Sequence, residues 1–184
     1  MNKQIIIKKD EEIFIPIFWE GSEQQINYDI TLAEQGAKLS LLGLLLGKND
    51  KELDVKINIT HSAPNTKSEI ILKGTLQDLS KINFEGLVKI EKGAKGTNTW
   101  LAAHLLILSD QAKGRAIPSL EIEENDIKAG HATTVGKVNN MEMFYLQSRG
   151  LSPKKAKGLI VQGFLNSILE RMPEKIQKEI KQKI

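Results

Sequence analysis

Up to residue 139 the apolar residues of this chain come in short bursts, often at every second position, and from Asn140 onward they recur every three or four. The first spacing is that of a strand and the second that of a helix. The chain therefore divides into a β-rich part, residues 1–139, and a small helical part, residues 140–184. The bursts are "QIIIKK", "EIFIPIFW", "QINYDITL", "LDVKINIT", "SEIILKGTL", "KINFEGLVKI", "LAAHLLILS" and "SLEIEE", and no helical pattern interrupts them. Motifs such as "LKGTL", "FEGLVKI" and "IPSLEI" recur at a spacing near ten residues or a little more. A sandwich, a barrel and a parallel β-helix are all compatible with such a pattern. Two features favour the β-helix. "IILKGTL" and "LLILS" are mostly apolar instead of cleanly alternating, and the Asn-Gly and Asp-Gly pairs of two-residue hairpins do not occur. The connections "KGT", "EGL", "KGAKG" and "AKGR" read as corners of stacked coils.

The helical part carries its own punctuation. Asn140 is the expected N-cap of "MEMFYLQSR", and Gly150 is expected to close that helix in the left-handed conformation. Ser152 followed by Pro153 signals a second start. Ala156, Leu159, Ile160, Gly163, Phe164, Ile168 and Leu169 then form one apolar stripe. Pro173 opens a third helix whose Ile176, Ile180 and Ile184 stand four apart. From Arg149 to Ile184 there are nine Lys or Arg and three Glu, which makes this end basic and the remainder slightly acidic. The Lys and Glu of the third helix fill the faces that the isoleucines leave, and this reads as a solvated surface. Without aromatic residues it is a poor platform for nucleic acid.

Several classes of function are excluded. The chain has no cysteine, so it supplies no thiolate nucleophile, Cys-type zinc site or cysteine ligand for a cluster. Its histidines are three, His61, His104 and His131, far apart in sequence. "GLLLGKND" is not a phosphate loop, and no Ser/His/Asp spacing marks a nucleophile. These absences argue against an enzyme. No apolar run reaches the roughly 20 residues of a membrane helix. The first residues lack the apolar core and cleavage site of a secretory signal, so a cytoplasmic location is expected.

The stretch "IPSLEIEENDIKAGHATTVGKVNNMEMFYLQSRGLSPKKAKGLIVQGFLNSIL", Ile117 to Leu169, resembles the C-terminal signature of the SufB/SufD family, the scaffold proteins of SUF iron–sulfur cluster assembly. The motifs that carry the resemblance are Pro118-Ser119-Leu120-Glu121-Ile122, His131-Ala132-Thr133-Thr134, Phe144 to Gly150, and Gly163-Phe164. Residues His61 to Trp100 are also similar to the family's β-helix body. The resemblance implies a right-handed parallel β-helix followed by a small C-terminal α-helical domain. It implies a non-enzymatic scaffold subunit that works with an ABC-class ATPase of the SufC type docked on the helical end. It further implies pairing through the β-helix, as a homodimer or with a SufB-like subunit. The alternative is a pure interaction module for the ATPase that handles no metal. Family members are usually longer, with an N-terminal helical region, and the SufB type carries a cysteine near the stretch matching Leu120 to Glu123. The chain therefore looks more like SufD, or like a generic SufB/D ancestor-type subunit.

By the same resemblance, His131 matches a family histidine near the interface between scaffold subunits. It becomes a candidate ligand for iron or a transient iron–sulfur cluster shared across a dimer, with Glu121 a candidate carboxylate beside it. The competing reading of His131 is a corner histidine, flanked by Gly130 and Ala132 because the coil is tight there. Phe144, Tyr145, Arg149 and Gly150 are the candidate ATPase contact; alternatively, Phe144 and Tyr145 plug the open end of the β-helix. His61 and His104, in or beside strands, are expected to be structural.

Overall fold

The structure, a computed structural model, describes residues 2–182. Ten strands precede three helices: β1 Asn2–Ile7, β2 Glu12–Trp19, β3 Gln25–Leu32, β4 Lys38–Gly47, β5 Glu52–His61, β6 Lys67–Leu76, β7 Lys81–Ile90, β8 Thr97–Ile107, β9 Lys113–Ile122, β10 Ile127–Lys137, α1 Asn140–Ser148, α2 Pro153–Leu169 and α3 Glu174–Lys181. The odd strands form one five-stranded sheet in the order β1-β3-β5-β7-β9 (sheet A), and the even strands form a second in the order β10-β8-β6-β4-β2 (sheet B). Every strand pairing is parallel. The chain therefore winds alternately through the two sheets and makes a parallel β-helix of about five turns. Parallel neighbours cannot be joined by a tight hairpin, which accounts for the missing hairpin pairs in the sequence.

The repeat is longer than the sequence spacing suggests. Glu52 pairs with Lys81, 29 residues on, and Lys81 with Lys113, 32 residues on. One coil consists of two strands and two corners. Successive strands begin 14 or 15 residues apart, at Lys38, Glu52, Lys67 and Lys81, so a ten-residue spacing is neither the strand-to-strand advance nor the coil. The greasy stretch Leu39 to Gly47 is itself a strand, β4.

Stacking fixes which side chains meet. Ile5, Ile30, Ile59, Val88 and Leu120 stand in register along the inner face of sheet A. Ile15, Leu41, Ile70, Leu101 and His131 do the same in sheet B. Aliphatic rows of this kind form the main core, and β-branched side chains suit such pleated, buried surfaces. The outer face of sheet A is polar, with coil-to-coil pairs Asn58–Asp29 at 2.7 Å, Asn83–Asp54 at 2.9 Å and Arg115–Glu85 at 3.0 Å. The corners turn through short Asx residues in the left-handed region, Asp10, Asn49, Asn65 and Asp78, a conformation that Asn and Asp tolerate better than other side chains.

One polar island interrupts the core. His61, fully buried, places Nδ1 2.8 Å from Thr66 Oγ1 and Nε2 2.8 Å from Ser68 Oγ. Those hydroxyls continue to Thr97 at 3.1 Å and Thr99 at 2.6 Å on the next coil. Burial pushes the His61 imidazole down to about 4, so it is neutral near neutral pH and satisfied by hydroxyl partners. The structural expectation for His61 holds.

The outer face of sheet B is apolar where the helices lie. Leu42, Leu44 and Leu46 of β4 bury against Leu165, Ile168 and Leu169 of α2, Met172, and Ile180 of α3, with Ile176 at the margin. The isoleucine seam of α3 thus finds α2 and the sheet within the same chain; Ile184 lies outside the described residues. The expected caps need one correction. The N-cap of α1 is Asn139, whose side chain accepts from the Met141 backbone N–H at 2.8 Å, and not Asn140. Gly150 does close α1, at φ +89°. Its N–H donates to the Gln147 carbonyl and that of Leu151 to the Leu146 carbonyl, the paired bonds of a Schellman ending. Ser152 caps α2 with Pro153 in its first turn, as expected.

Candidate functional site

Two places on the surface carry the residues singled out in the sequence. The first is the C-terminal end of the β-helix. Among the described residues β9 and β10 are each paired on one side only, so this end presents two long strand edges, templates for pairing with another chain.

His131 lies in the middle of β10, not at a corner. It registers with Leu101, an inward-facing core residue only 1% exposed, so His131 belongs to the inward row of its strand. With no further coil above it, that row is uncovered and His131 is exposed. Its row-mates show the same condition: Val135 is 45% exposed, and Ile122 across the coil is 48% exposed. The tight packing expected beside His131 has a specific cause on the opposite face. A Cβ at Gly130 would fall 2.6 Å from Cζ3 of Trp100, whose indole lies over that glycine.

Glu121 registers with Lys89, an outward-facing residue of sheet A. It therefore projects from the outer face of the last coil, whereas His131 projects toward its interior. One chain does not bring the two together. Among the described residues no three His, Asp or Glu side chains converge as a metal site. What this chain offers at that end is a single imidazole on a strand edge, ringed by partly exposed aliphatic side chains. One imidazole is not a metal site by itself, and iron or a cluster there would need ligands from beyond the described residues. Neutral imidazole is an acceptable ligand for iron, and sulfur donors would favour a cluster.

His104 is half-buried on the outer face of sheet B, with Nδ1 2.9 Å from Thr134 Oγ1 of β10. Burial, and secondarily the Lys73 charge, lower its pKa. It holds a strand pair together, as a structural residue would.

The second place is the groove between α1 and α2, a cavity of about 470 Å³ lined by Met141, Glu142, Tyr145, Leu146, Leu159 and Ile160. α1 buries no residue. Met141 is 74% exposed, Phe144 69% and Tyr145 57%. Neither Phe144 nor Tyr145 plugs the β-helix. Arg149 lies over the Tyr145 ring, with Cζ 5.3 Å from its centroid, one helical turn away. Gly150 contributes its left-handed φ, which ends α1 beside the groove.

The single apolar stripe read from α2 divides in two. Phe164, Ile168 and Leu169 face sheet B, joined there by Leu165, which the stripe did not include, whereas Leu159, half exposed, and Ile160 face α1 and the groove. Of the groove residues only Tyr145 was a candidate contact from the sequence; Met141, Glu142, Leu146, Leu159 and Ile160 were not. Met141 and Tyr145, four apart on a helix with no buried face, were the available signal.

Comparison with known proteins gives a consistent result. Residues 8–164 match the family described as SUF system FeS cluster assembly, SufBD core domain. The chain is 33% identical over 138 residues to the iron-sulfur cluster assembly protein SufD of Bacillus subtilis, covering 74% of this chain and 32% of that protein. It is 30% identical over 161 residues to an iron-sulfur cluster assembly SufBD family protein of Mycobacterium tuberculosis, covering 87% of this chain and 19% of that protein. A SufBD family protein of Staphylococcus saprophyticus is 32% identical over 154 residues, covering 83% of this chain and 33% of that protein. The chain thus spans between about a fifth and a third of the length of these relatives.

Proposed function

The chain belongs to the SufBD family of iron–sulfur cluster assembly proteins, and from that premise we propose that it is a non-catalytic scaffold subunit coupled to an ABC-class ATPase of the SufC type. The observation that carries the coupling is the α1–α2 groove. Met141 and Tyr145 of its lining, and Phe144 elsewhere on α1, stand more than half exposed on a helix that buries nothing of its own. Soluble proteins seldom leave such a cluster open unless it serves contact with a partner. Tyr145 and Arg149 are the anchor types that dominate interfaces.

The partner at the β9–β10 edge is a second scaffold subunit, either another copy or a SufB-like chain. It would pair along β9 and β10 and continue the sheets. His131 would then lie inside the junction, and Glu121 on its outer rim. Iron, or a cluster in transit, is the cargo: His131 supplies one imidazole nitrogen, and the partner supplies the thiolates this chain lacks. ATP-driven closure of two ATPase subunits would act through the helices on the paired β-helices and open the junction to iron and sulfur. The reading places the protein in the cytoplasm; no helix among the described residues is long and apolar enough to cross a membrane.

The test is reconstitution with the SUF ATPase of the same organism. Isothermal titration is expected to give a complex with the parent chain that is lost in Arg149→Ala and Tyr145→Ala. Anaerobic iron titration of the paired scaffold, parent against His131→Ala, then reads the cargo site. ATPase binding with no iron uptake would reduce the chain to an interaction module for the ATPase. No ATPase binding by the folded parent would overturn the coupling.

A further inference from the structure

The α1–α2 groove runs on past the side chains that line it. Gly163 follows Leu159 by four residues and Ile160 by three, so it lies one turn further along the same face of α2. It is exposed, and a Cβ placed there would meet no atom within 4 Å. It sits in the interior of α2, where glycine is less favourable than alanine. Its neighbour Phe164 packs toward sheet B, but nothing among the described residues requires a glycine at 163.

Charge is spread unevenly along the groove. Four residues join α1 to α2, and so short a connection makes the helices antiparallel neighbours. Met141 and Gly163 therefore mark the open end of the groove, and Arg149 and Lys155 the hairpin end. Lys155 is exposed and stands four residues before Leu159, on the groove face. The first turn of α2 holds no acidic residue, although a helix N-terminus already carries partial positive charge. Among the described residues neither Arg149 nor Lys155 forms an ion pair. Glu142, the carboxylate in the lining, stands beside Met141 at the open end.

We propose that the groove takes an amphipathic helix of the ATPase. Its apolar face sits on Tyr145, Leu146, Leu159 and Ile160, its backbone passes close over Gly163, and its carboxylates lie toward Arg149 and Lys155. An apolar groove between two helices suits an amphipathic helix. Packed helices stand about 8–10 Å apart, depending on the side chains at the crossing, and a residue without a Cβ permits the short end of that range. Cations without carboxylate partners beside an uncovered apolar face favour an acidic segment over a basic one. The inference rests on reading the groove as the ATPase-docking surface, and adds the form and charge of what docks.

Isothermal titration of the SUF ATPase into the whole chain, at low and at high salt, tests this. Gly163→Ala is expected to raise the melting temperature of the free chain, because alanine favours the helix, and yet to weaken ATPase binding about tenfold, with Gly163→Leu weaker still. Gly158→Ala is the control. Gly158 is also exposed with open space at its Cβ, but it lies on the far side of Leu159 from Ile160. Its alanine variant should stabilise the chain and keep the parent affinity. Lys155→Glu should weaken binding about tenfold at low salt and flatten its salt dependence. Parent-like affinity in Gly163→Ala and Gly163→Leu would overturn the close approach and leave the docking reading intact. Loss of binding in Gly158→Ala as well would trace the requirement to a loose α2 instead of to space at Gly163, and would overturn it too. Unchanged or tighter binding by Lys155→Glu would rule out the acidic segment. Self-association of the chain that Gly163→Leu abolishes, with ATPase affinity untouched, would assign the groove to a second copy. A parent chain that binds no ATPase would overturn the docking reading itself, and this proposal with it.

Discussion

His131 stands in register directly on Leu101, and it ends an inward row whose other members, Ile15, Leu41, Ile70 and Leu101, are all aliphatic. A polar residue takes the last rung where an aliphatic one would extend the core.

Substitution at that rung separates stability from cargo. His131 is exposed in the isolated chain, so His131→Ala should change its unfolding free energy by no more than about 0.5 kcal/mol. Thermal or denaturant unfolding checks this. In the paired scaffold the same variant is expected to lose anaerobic iron uptake, whereas Glu121→Gln, on the outer face, should reduce it far less.

The groove gives a second prediction. Tyr145→Ala and Arg149→Ala each remove a large part of the same stacked pair, and each is expected to cost about 2 kcal/mol of ATPase affinity, or about thirtyfold. Both residues are exposed, so circular dichroism and melting should stay near the parent. The double variant should lose less than the sum of the two, because the residues touch.

His61 makes stability depend on acid. The unfolded imidazole takes a proton near 6.5, and the folded one resists until about 4. Between those values the unfolded state binds more protons, so stability is full above pH 6.5 and falls as the pH drops toward 4. The whole loss is on the order of 3 kcal/mol, readable from urea midpoints across that range. His61→Leu should flatten this part of the profile. At neutral pH it should cost about 2 kcal/mol, because Thr66 and Ser68 lose a buried partner.

Gly130→Ala is expected to dislodge Trp100, since the new Cβ would come within 2.6 Å of Cζ3 on the indole. Trp19, fully buried, contributes an unchanging emission. A red shift of the remaining signal, with a cost of about 1–2 kcal/mol, checks the prediction. An unshifted spectrum would mean that the indole does not lie over Gly130.

Much of the architecture was legible because it is written in local periods. Alternation and short apolar bursts marked strands, the missing hairpin pairs argued for parallel coils, and Ser152-Pro153 and Gly150 marked helix ends. A cap is a matter of one residue, and the preference of Asn for the cap cannot choose between Asn139 and Asn140. Only the geometry of the first turn places the Asn139 side-chain Oδ1 where it accepts from the Met141 N–H.

The sequence by itself determined the two-period organisation, the helical ending and, through its ordered motifs, the family. Tertiary structure alone decided the direction of each side chain, because parity along a strand acquires meaning only from the strand it stacks on. His131 faces inward because β10 registers with β8 through Leu101, and Glu121 faces outward because β9 registers with β7 through Lys89. The apolar residues of α2 likewise form one stripe in sequence and two surfaces in space, since sheet B and α1 approach the helix from different sides. A helical period states which residues share a face. How many neighbours divide that face depends on contacts between residues far apart in the chain.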